Sequence, residues 1–244
     1  MKINYNYHEK ELERTNYYES IKLLEYIAFR NDIEFHNKQV VDLGCNWGVN
    51  TFMIANGFPK NEKYQVPQSV IGVDYDNESI RKAIANSKHL NNVDFIVHDI
   101  TTPFPFEHES IDLFVSTYTI HNFKDVEKQF VFEQVARSLK TNGHFIYIDV
   151  LFDNMKEINN ISDATTLEKL WRNSAKYLEN EDLNILLKVH LDETHPFSLI
   201  LTGKFEYPIT VNMTKNIAEQ AGIKLMYVKT IKELVYCKMM VFQK

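Results

Sequence analysis

The sequence predicts an α/β protein: a mostly parallel sheet wrapped on both faces by helices, closed by an antiparallel C-terminal strand. Three observations carry that expectation. Short apolar runs of five to seven residues, QVVDL, SVIGVDY, VDFIVHD, IDLFVST and HFIYIDV, recur through the first 150 residues. Helical patterns separate most of them, and continuous apolar strands alternating with helices mark a sheet buried on both faces. At the C-terminus two β-rich runs, IKLMYVKTI and ELVYCKMMVFQ, follow one another closely enough for a hairpin.

Taken in order, residues from about 8 to 30 read as an amphipathic helix, with Tyr17, Ile21, Leu24 and Ala28 on one face. The first strand begins near Gln39 and ends in the turn GCNWG. Thr51–Ala55 continue as a helix that stops at Asn56-Gly57, before Pro59. A polar loop is expected from Lys60 to Gln68, then the second strand over 69–75. Asp76 is placed to cap the next helix, which carries Ile80, Ala83 and Ile84. The third strand spans 93–99 and the fourth 111–117, with Pro103 and Pro105 in a connection too short for a full helix. A helix from about Asp125 to Lys140 stops at Thr141-Asn142-Gly143, and the fifth strand spans 144–150.

The alternation then breaks. Two helical stretches, 162–178 and 181–189, fit no strand–helix unit, so 151–205 is read as a helical insertion or lid. Thr210 caps a last helix that ends at Gly222. With no linker rich in Pro, Gly or Ser, one domain is expected over 1–244. It divides into an N-terminal helical cap (1–36), a core (37–150), the insertion (151–205) and a last helix with hairpin (206–244).

Composition narrows the function. A net charge of -6 argues against broad binding of nucleic acid or anionic membranes, which needs clustered cations. The two cysteines, Cys45 and Cys237, lie far apart, set no disulfide framework and fit a reducing compartment. The polar N-terminus and the lack of a long apolar run lead to the expectation of a cytoplasmic protein without a membrane span. His190 and His195 share no metal-ligand spacing with any placed carboxylate, so no metal site is expected.

The chemistry concentrates at the strand ends. In VVDLGCNWG an acid, Asp42, precedes a turn with Gly44 and Gly48 at the start of a helix. Gly44 permits close ligand approach, and helix-start amides favour a carboxylate or phosphate. By itself this turn suits a dinucleotide, a phosphate or only a tight bend. Asp74 closes the second strand, where an acid can accept from both ribose hydroxyls of an adenosine. The competing role is a helix cap, for which Asp76 is better placed. Asp99 closes the third strand and can accept from an adenine amine while Ile100 packs on the ring; a plain surface acid is the alternative. Open α/β sheets bind ligands at the carboxyl ends of their strands, so the succession of the three carries more than any one.

These segments, VVDLGCNWGVNTFMIA, VIGVDYDNESIRKA, VDFIVHDITTPFPF, IDLFVSTYTIHNF and VFEQVARSLKTNGHFIYIDV, resemble the class I S-adenosylmethionine-dependent methyltransferases. The chain is similar to their small-molecule branch, with its ubiquinone-biosynthesis-type and juvenile-hormone-acid-type enzymes. The resemblance implies a Rossmann-like, doubly wound, seven-stranded sheet whose last strand is antiparallel, and S-adenosyl-L-methionine as cofactor. It places the methionine moiety on Asp42 and the turn Gly44, Cys45, Asn46 and Gly48, the ribose on Asp74 beside Tyr75, and the adenine on Asp99 and Ile100. Ser116, Thr117 and Tyr118 would border the methionine moiety and the transferring methyl. The family turn usually has Gly where this chain has Asn46, the residue other than Gly that best tolerates a left-handed backbone. Trp47 is expected in the adjacent core.

Methyl transfer from a sulfonium needs chiefly positioning, with the nucleophile about 3 Å from the methyl and in line with the departing sulfur. Tyr17 and Tyr18 are candidate lid residues against the acceptor, or merely pack the N-terminal helix. His121 is the candidate base should the nucleophile arrive protonated; its alternative is to bond loop backbone or cap the following helix. Asp149 is expected to orient a loop rather than an acceptor. The fourth strand ends in Ser116-Thr117-Tyr118-Thr119, not the Asn/Asp-Pro-Pro-aromatic run of many base and amide methyltransferases. With the acidic charge this favours a small-molecule acceptor, a monomer or homodimer being equally open. The rivals are a methyltransferase acting on RNA or protein, and a cofactor-binding homologue with other chemistry. NAD is disfavoured by the glycine spacing, and a phosphate-loop NTPase by the missing G-K-[ST].

Overall fold

The structure, a computed structural model, describes residues 33–60, 63–154, 207, 209–230 and 237–244. The expected N-terminal helix, with Tyr17 and Tyr18, and nearly all of the insertion fall outside the described residues. The chain divides into two compact units, Met1–Val97 and His98–Lys244.

In the first unit β1 (Gln39–Leu43), β4 (Ser69–Asp74) and β5 (Val93–Val97) run parallel in the order β5-β4-β1. Val40, Val41, Leu43, Val70 and Val73 are buried, as continuous apolar strands demand. α1 (Val49–Asn56) packs on β4 and β5, and α2 (Asn77–Asn86) does the same. Gly57 ends α1 at φ 79, and Asp76 caps α2 by accepting from the Ser79 amide at 2.9 Å, both as expected.

The expected polar loop after α1 is partly wrong. β2 (Phe58–Lys60) and β3 (Lys63–Gln65) pair antiparallel as a small separate hairpin. Pro59 lies past the end of α1, as expected, and is admissible in β2, where its missing amide owes nothing to a neighbour in a two-stranded ribbon.

In the second unit β6 (Ile111–Thr117) and β7 (Leu139–Phe152) run parallel. β10 (Cys237–Gln243) lies antiparallel between β7 and β9 (Lys224–Thr230). A two-residue β8 (Ile209–Thr210) adds to the end of β7. The seven expected strands are all present, and they form the mostly parallel sheet with an antiparallel C-terminal strand of a Rossmann-like fold. α3 (Asp125–Ser138) and α4 (Val211–Ala221) pack on each other. Thr210 caps α4 through the Met213 amide, and Gly222 ends it at φ 89.

β7 is longer than the expected 144–150. It begins at Leu139, directly after α3, and a register shift opposite Ile111/Leu113 absorbs Asn142 at φ 64. The expected turn at Asn142-Gly143 is thus a bulge inside the strand. Phe132, Phe145, Tyr147 and Phe242 form an aromatic cluster, with Phe132 edge-on to the other three.

Candidate functional site

The end of β1 is built around one buried carboxylate. Asp42 is 1% exposed and accepts from the Thr51 hydroxyl at 2.6 Å and from the Thr51 backbone amide. The N-cap of α1 is Gly48, which has no side chain to bond the first turn. Asp42 therefore caps α1 from the neighbouring strand, satisfying an amide that a glycine cap leaves orphaned. Burial pushes its carboxyl up to about 6, against the pull of the Thr51 hydroxyl, with the Asp74 charge adding to the rise.

The turn that follows holds three left-handed residues, Gly44 (φ 75), Asn46 (φ 49) and Gly48 (φ 85). Its amides point inward. Those of Gly44 and Cys45 both donate to the Val73 carbonyl (2.8 and 3.0 Å), that of Asn46 to Asp74 Oδ2 (2.9 Å), and that of Gly48 to the Cys45 carbonyl (2.9 Å). Cys45 is buried, donates its thiol hydrogen to the Asn46 carbonyl, and has that thiol pushed well up by burial, so its part is to shape the turn. Gly48 is required by packing: a Cβ there would lie 2.7 Å from the Phe52 ring and 3.0 Å from Phe95.

Asp74 ends β4 half-buried. Oδ1 accepts from the Asp76 amide and Oδ2 from the Asn46 amide, each at 2.9 Å. The Tyr75 amide reaches the carboxylate as well, and together these bonds orient the group. Burial raises its pKa first of all, while the Asp76, Asn46 and Tyr75 amides pull the other way. The Asn46 side chain accepts from Ser79 Oγ at 3.2 Å, and Ser79 Oγ also donates to Asp76 at 2.7 Å. The departure from glycine thus ties the turn to α2. Tyr75 is 78% exposed. Trp47 is half-exposed, with Lys82 Nζ 4.8 Å above its ring, and does not fill the core as expected. Asn50 Oδ1, in the first turn of α1, is buried with no hydrogen-bond partner among the described residues.

In the second unit Asp99 lies two residues past β5, exposed, with Oδ1 accepting from the Thr101 amide and hydroxyl (2.9 and 2.7 Å). Its other oxygen takes no part in these bonds. Ile100 and Ser116 are buried, while Thr117 and Tyr118 are half-buried. Tyr118 sits at φ 50, rare for a bulky residue, with its amide donating to the Ile148 carbonyl at 2.9 Å. A short 3-10 turn, Ile120–Asn122, then carries His121. The His121 ring Nδ1 lies 2.5 Å from Asp149 Oδ1, and its amide donates to Asp149 Oδ2 at 3.1 Å.

The Asp149–His121 pair is closer than the sequence expectation of a loop anchor. It extends to two residues that sequence reasoning missed. Lys128 is 1% exposed and donates to the Tyr207 carbonyl, while the Tyr207 amide donates to the His121 carbonyl at 3.0 Å. Burial lowers the Lys128 pKa, and Asp125 and Asp149 pull it back up. One signal was available: Lys128 falls on the buried stripe of α3 with Val131, Phe132 and Val135, where a lone lysine needs a partner. The structure therefore groups Asp42, Gly44, Cys45, Asn46, Gly48 and Asp74 in one unit. It groups Tyr118 and His121, with Asp149, in the other.

Residues 34–221 match a family model described as a methyltransferase domain. The chain is 32% identical over 107 residues to the uncharacterized methyltransferase YcgJ of Bacillus subtilis, covering 40% of this chain and 41% of that protein. It is 25% identical over 130 residues to a phosphoethanolamine N-methyltransferase of Triticum aestivum, covering 51% of this chain and 24% of that protein. The matches thus span well under half the length of these curated relatives. The fold is shared with an S-adenosylmethionine dependent methyltransferase of Mesorhizobium loti, with TM-score 0.60, 14% identity, 90% of this chain covered and 97% of that one.

Proposed function

The chain belongs to the methyltransferase-domain family, with S-adenosyl-L-methionine as cofactor, and from that premise we propose that it transfers the methyl group to a small-molecule acceptor. The observation that carries the reading is Asp74. Backbone amides fix its carboxylate at the end of β4, where an acid can accept from the hydroxyls of a ribose.

When bound, the cofactor supplies a methyl group made electrophilic by its sulfonium. The protein's part is to hold and orient. Asp42 keeps α1 and the turn in place, and Gly44 and Asn46 shape the wall for the methionine moiety. Asp74 takes the ribose. Asp99, Ile100, Ser116 and Thr117 keep the roles that the resemblance implies. Tyr118 and His121 are assigned to the acceptor. A small molecule is favoured by the net charge of -6 and by Ser116-Thr117-Tyr118-Thr119 after β6. Phosphoethanolamine, the acceptor in the wheat relative's name, is the first compound to try.

The test is calorimetry with S-adenosylmethionine and S-adenosylhomocysteine on wild type and Asp74→Ala. Removing two hydrogen bonds to a charged group costs about 3 kcal/mol, a loss of roughly a hundredfold in affinity. Equal affinity of the two proteins removes Asp74 from the site and the reading with it.

A further inference from the structure

The turn after β1 is flanked by two acids that no described cation answers. Asp42 is buried, and its bonds come from neutral donors, the hydroxyl and amide of Thr51. Asp74 is likewise held by neutral donors, the backbone amides around it. Neither forms an ion pair among the described residues. The two acids feel each other: the Asp74 charge adds to the burial that pushes the Asp42 carboxyl up to about 6. The other titratable groups nearby bring no relief. The Cys45 thiol is pushed well up by burial and by both acids, so it stays neutral. Asp76, at the start of α2, sets a like charge beside Asp74, and α1 has no titratable side chain. Lys82 of α2 lies over the Trp47 ring and pairs with Glu78.

Unanswered buried charge favours a ligand that brings the opposite sign. S-adenosylmethionine and its product S-adenosylhomocysteine share their ammonium, carboxylate and adenosine. They differ by one methyl group and one unit of charge, the sulfonium. A unit charge within about 10 Å, at an effective dielectric constant of about 20 and screened by salt, changes an affinity by roughly three- to tenfold. A carboxylate beside the methionine moiety can therefore tell the two ligands apart without touching the methyl.

We propose that Asp42, backed by the Asp74 charge, is a specificity-determining residue that favours the sulfonium-bearing cofactor over its uncharged product, and that binding of the sulfonium expels a proton from Asp42. This rests on the methyltransferase reading, in which the methionine moiety lies along the turn that Asp42 holds in place. The sign follows from linkage. Above pH of about 6 Asp42 is ionised and the sulfonium gains its attraction. As pH falls through about 6 the carboxyl takes its proton, the attraction fades, and only the shared parts of the two ligands still bind. Inhibition by the product therefore deepens on acidification.

The experiment is calorimetry of the full chain with S-adenosylmethionine and S-adenosylhomocysteine at pH 5, 6 and 7. Each titration is run in two buffers of different ionisation enthalpy, so that the protons released on binding are counted. Over this range the ammonium and carboxylate of both ligands keep their charges. From pH 7 to pH 5 the wild-type preference for S-adenosylmethionine is expected to fall by about two- to fivefold. At pH 6 S-adenosylmethionine should release about a third of a proton more than S-adenosylhomocysteine. Asp42→Asn keeps an oxygen for the Thr51 hydroxyl and cannot ionise, so its preference is flat with pH and the two ligands release protons alike. Thr51→Val removes the hydroxyl that favours the ionised carboxylate and moves the fall to higher pH, which decides the matter even where Asp42→Asn does not fold. Equal proton release by the two ligands in wild type, or a pH-dependent preference that survives in Asp42→Asn, overturns the proposal. The two readings fail differently: no affinity for either ligand defeats the methyltransferase reading, whereas binding of both with a pH-independent preference defeats only the role of Asp42.

Discussion

Asp42 shows how a single residue serves structure and site at once. Its carboxylate is the cap that Gly48 cannot provide, yet burial makes its charge unwelcome and pushes its pKa up to about 6. A carboxyl whose folded pKa lies above its unfolded value favours folding when protonated. That contribution is complete at pH below about 4 and is lost as pH rises through about 6. The shift from 3.8 corresponds to about 3 kcal/mol at most. Asp42→Asn keeps an oxygen for the Thr51 hydroxyl and cannot ionise. The variant is expected to gain stability over wild type at pH 7.5 and to lose about half of that advantage at pH 5. Thermal melts at the two pH values check this, and an advantage independent of pH refutes the account. Asn46 makes the complementary point. Its left-handed backbone was inferable from residue type, but its hydrogen bond from Ser79, 33 positions away, was not.

At the scale of elements, β5 dictates the glycines of its neighbours. The Phe95 ring lies where a Cβ would stand at Gly48 (3.0 Å) and at Gly72 (2.6 Å), and Gly72 is its register partner in β4. The ring demands the glycine in the strand and, together with Phe52, the one in the turn. Gly72→Ala is expected to cost about 1–3 kcal/mol by overpacking. Phe95→Leu in the same chain should recover at least half of that loss. Urea midpoints of the two single variants and the double variant measure the coupling, and strict additivity would show that the ring is not the obstacle. The same scale explains what could be read in advance. Five strands, the caps Asp76 and Thr210 and the stop at Gly222 were legible, because periodicity and capping are local. The β2–β3 hairpin was not, since three-residue strands carry no period and Pro59 read as a stop. The start of β7 at Leu139 was hidden because a bulge at Asn142 mimics a turn. The Asp149–His121 pair spans 28 positions and depends on parallel strands bringing a strand residue against the turn after β6, which no local pattern encodes.

At the scale of the whole molecule, the order of strands makes the last residues of the chain part of the interior. β10 is flanked by β7 on one side and β9 on the other, and Met239, Met240, Val241 and Phe242 are buried. The final residue fastens the bulge: the Lys244 carbonyl accepts from the Asn142 amide, and the Lys244 amide donates to the Gly143 carbonyl. Without β10, β9 would lose its described strand partner, and β7 would expose a row of unpaired amides and carbonyls to solvent or to other chains. The aromatic cluster would lose Phe242, whose removal alone costs about 3–5 kcal/mol in a well-packed core. A domain of this kind has only about 5–15 kcal/mol of net stability, so the loss of a whole buried strand exceeds what can be absorbed. Deletion of residues 237–244 is therefore expected to abolish cooperative unfolding. The truncated chain should keep helical far-ultraviolet dichroism, lose the near-ultraviolet signal of the aromatic cluster and bind a hydrophobic dye. Deletion of Lys244 alone removes the stitch at the bulge and the side-chain bonds to the Leu139 carbonyl and Glu109, and should leave a cooperative, slightly lowered transition. A native-like, cooperative transition in the eight-residue truncation would mean that the sheet closes without β10, and the topological argument would fail.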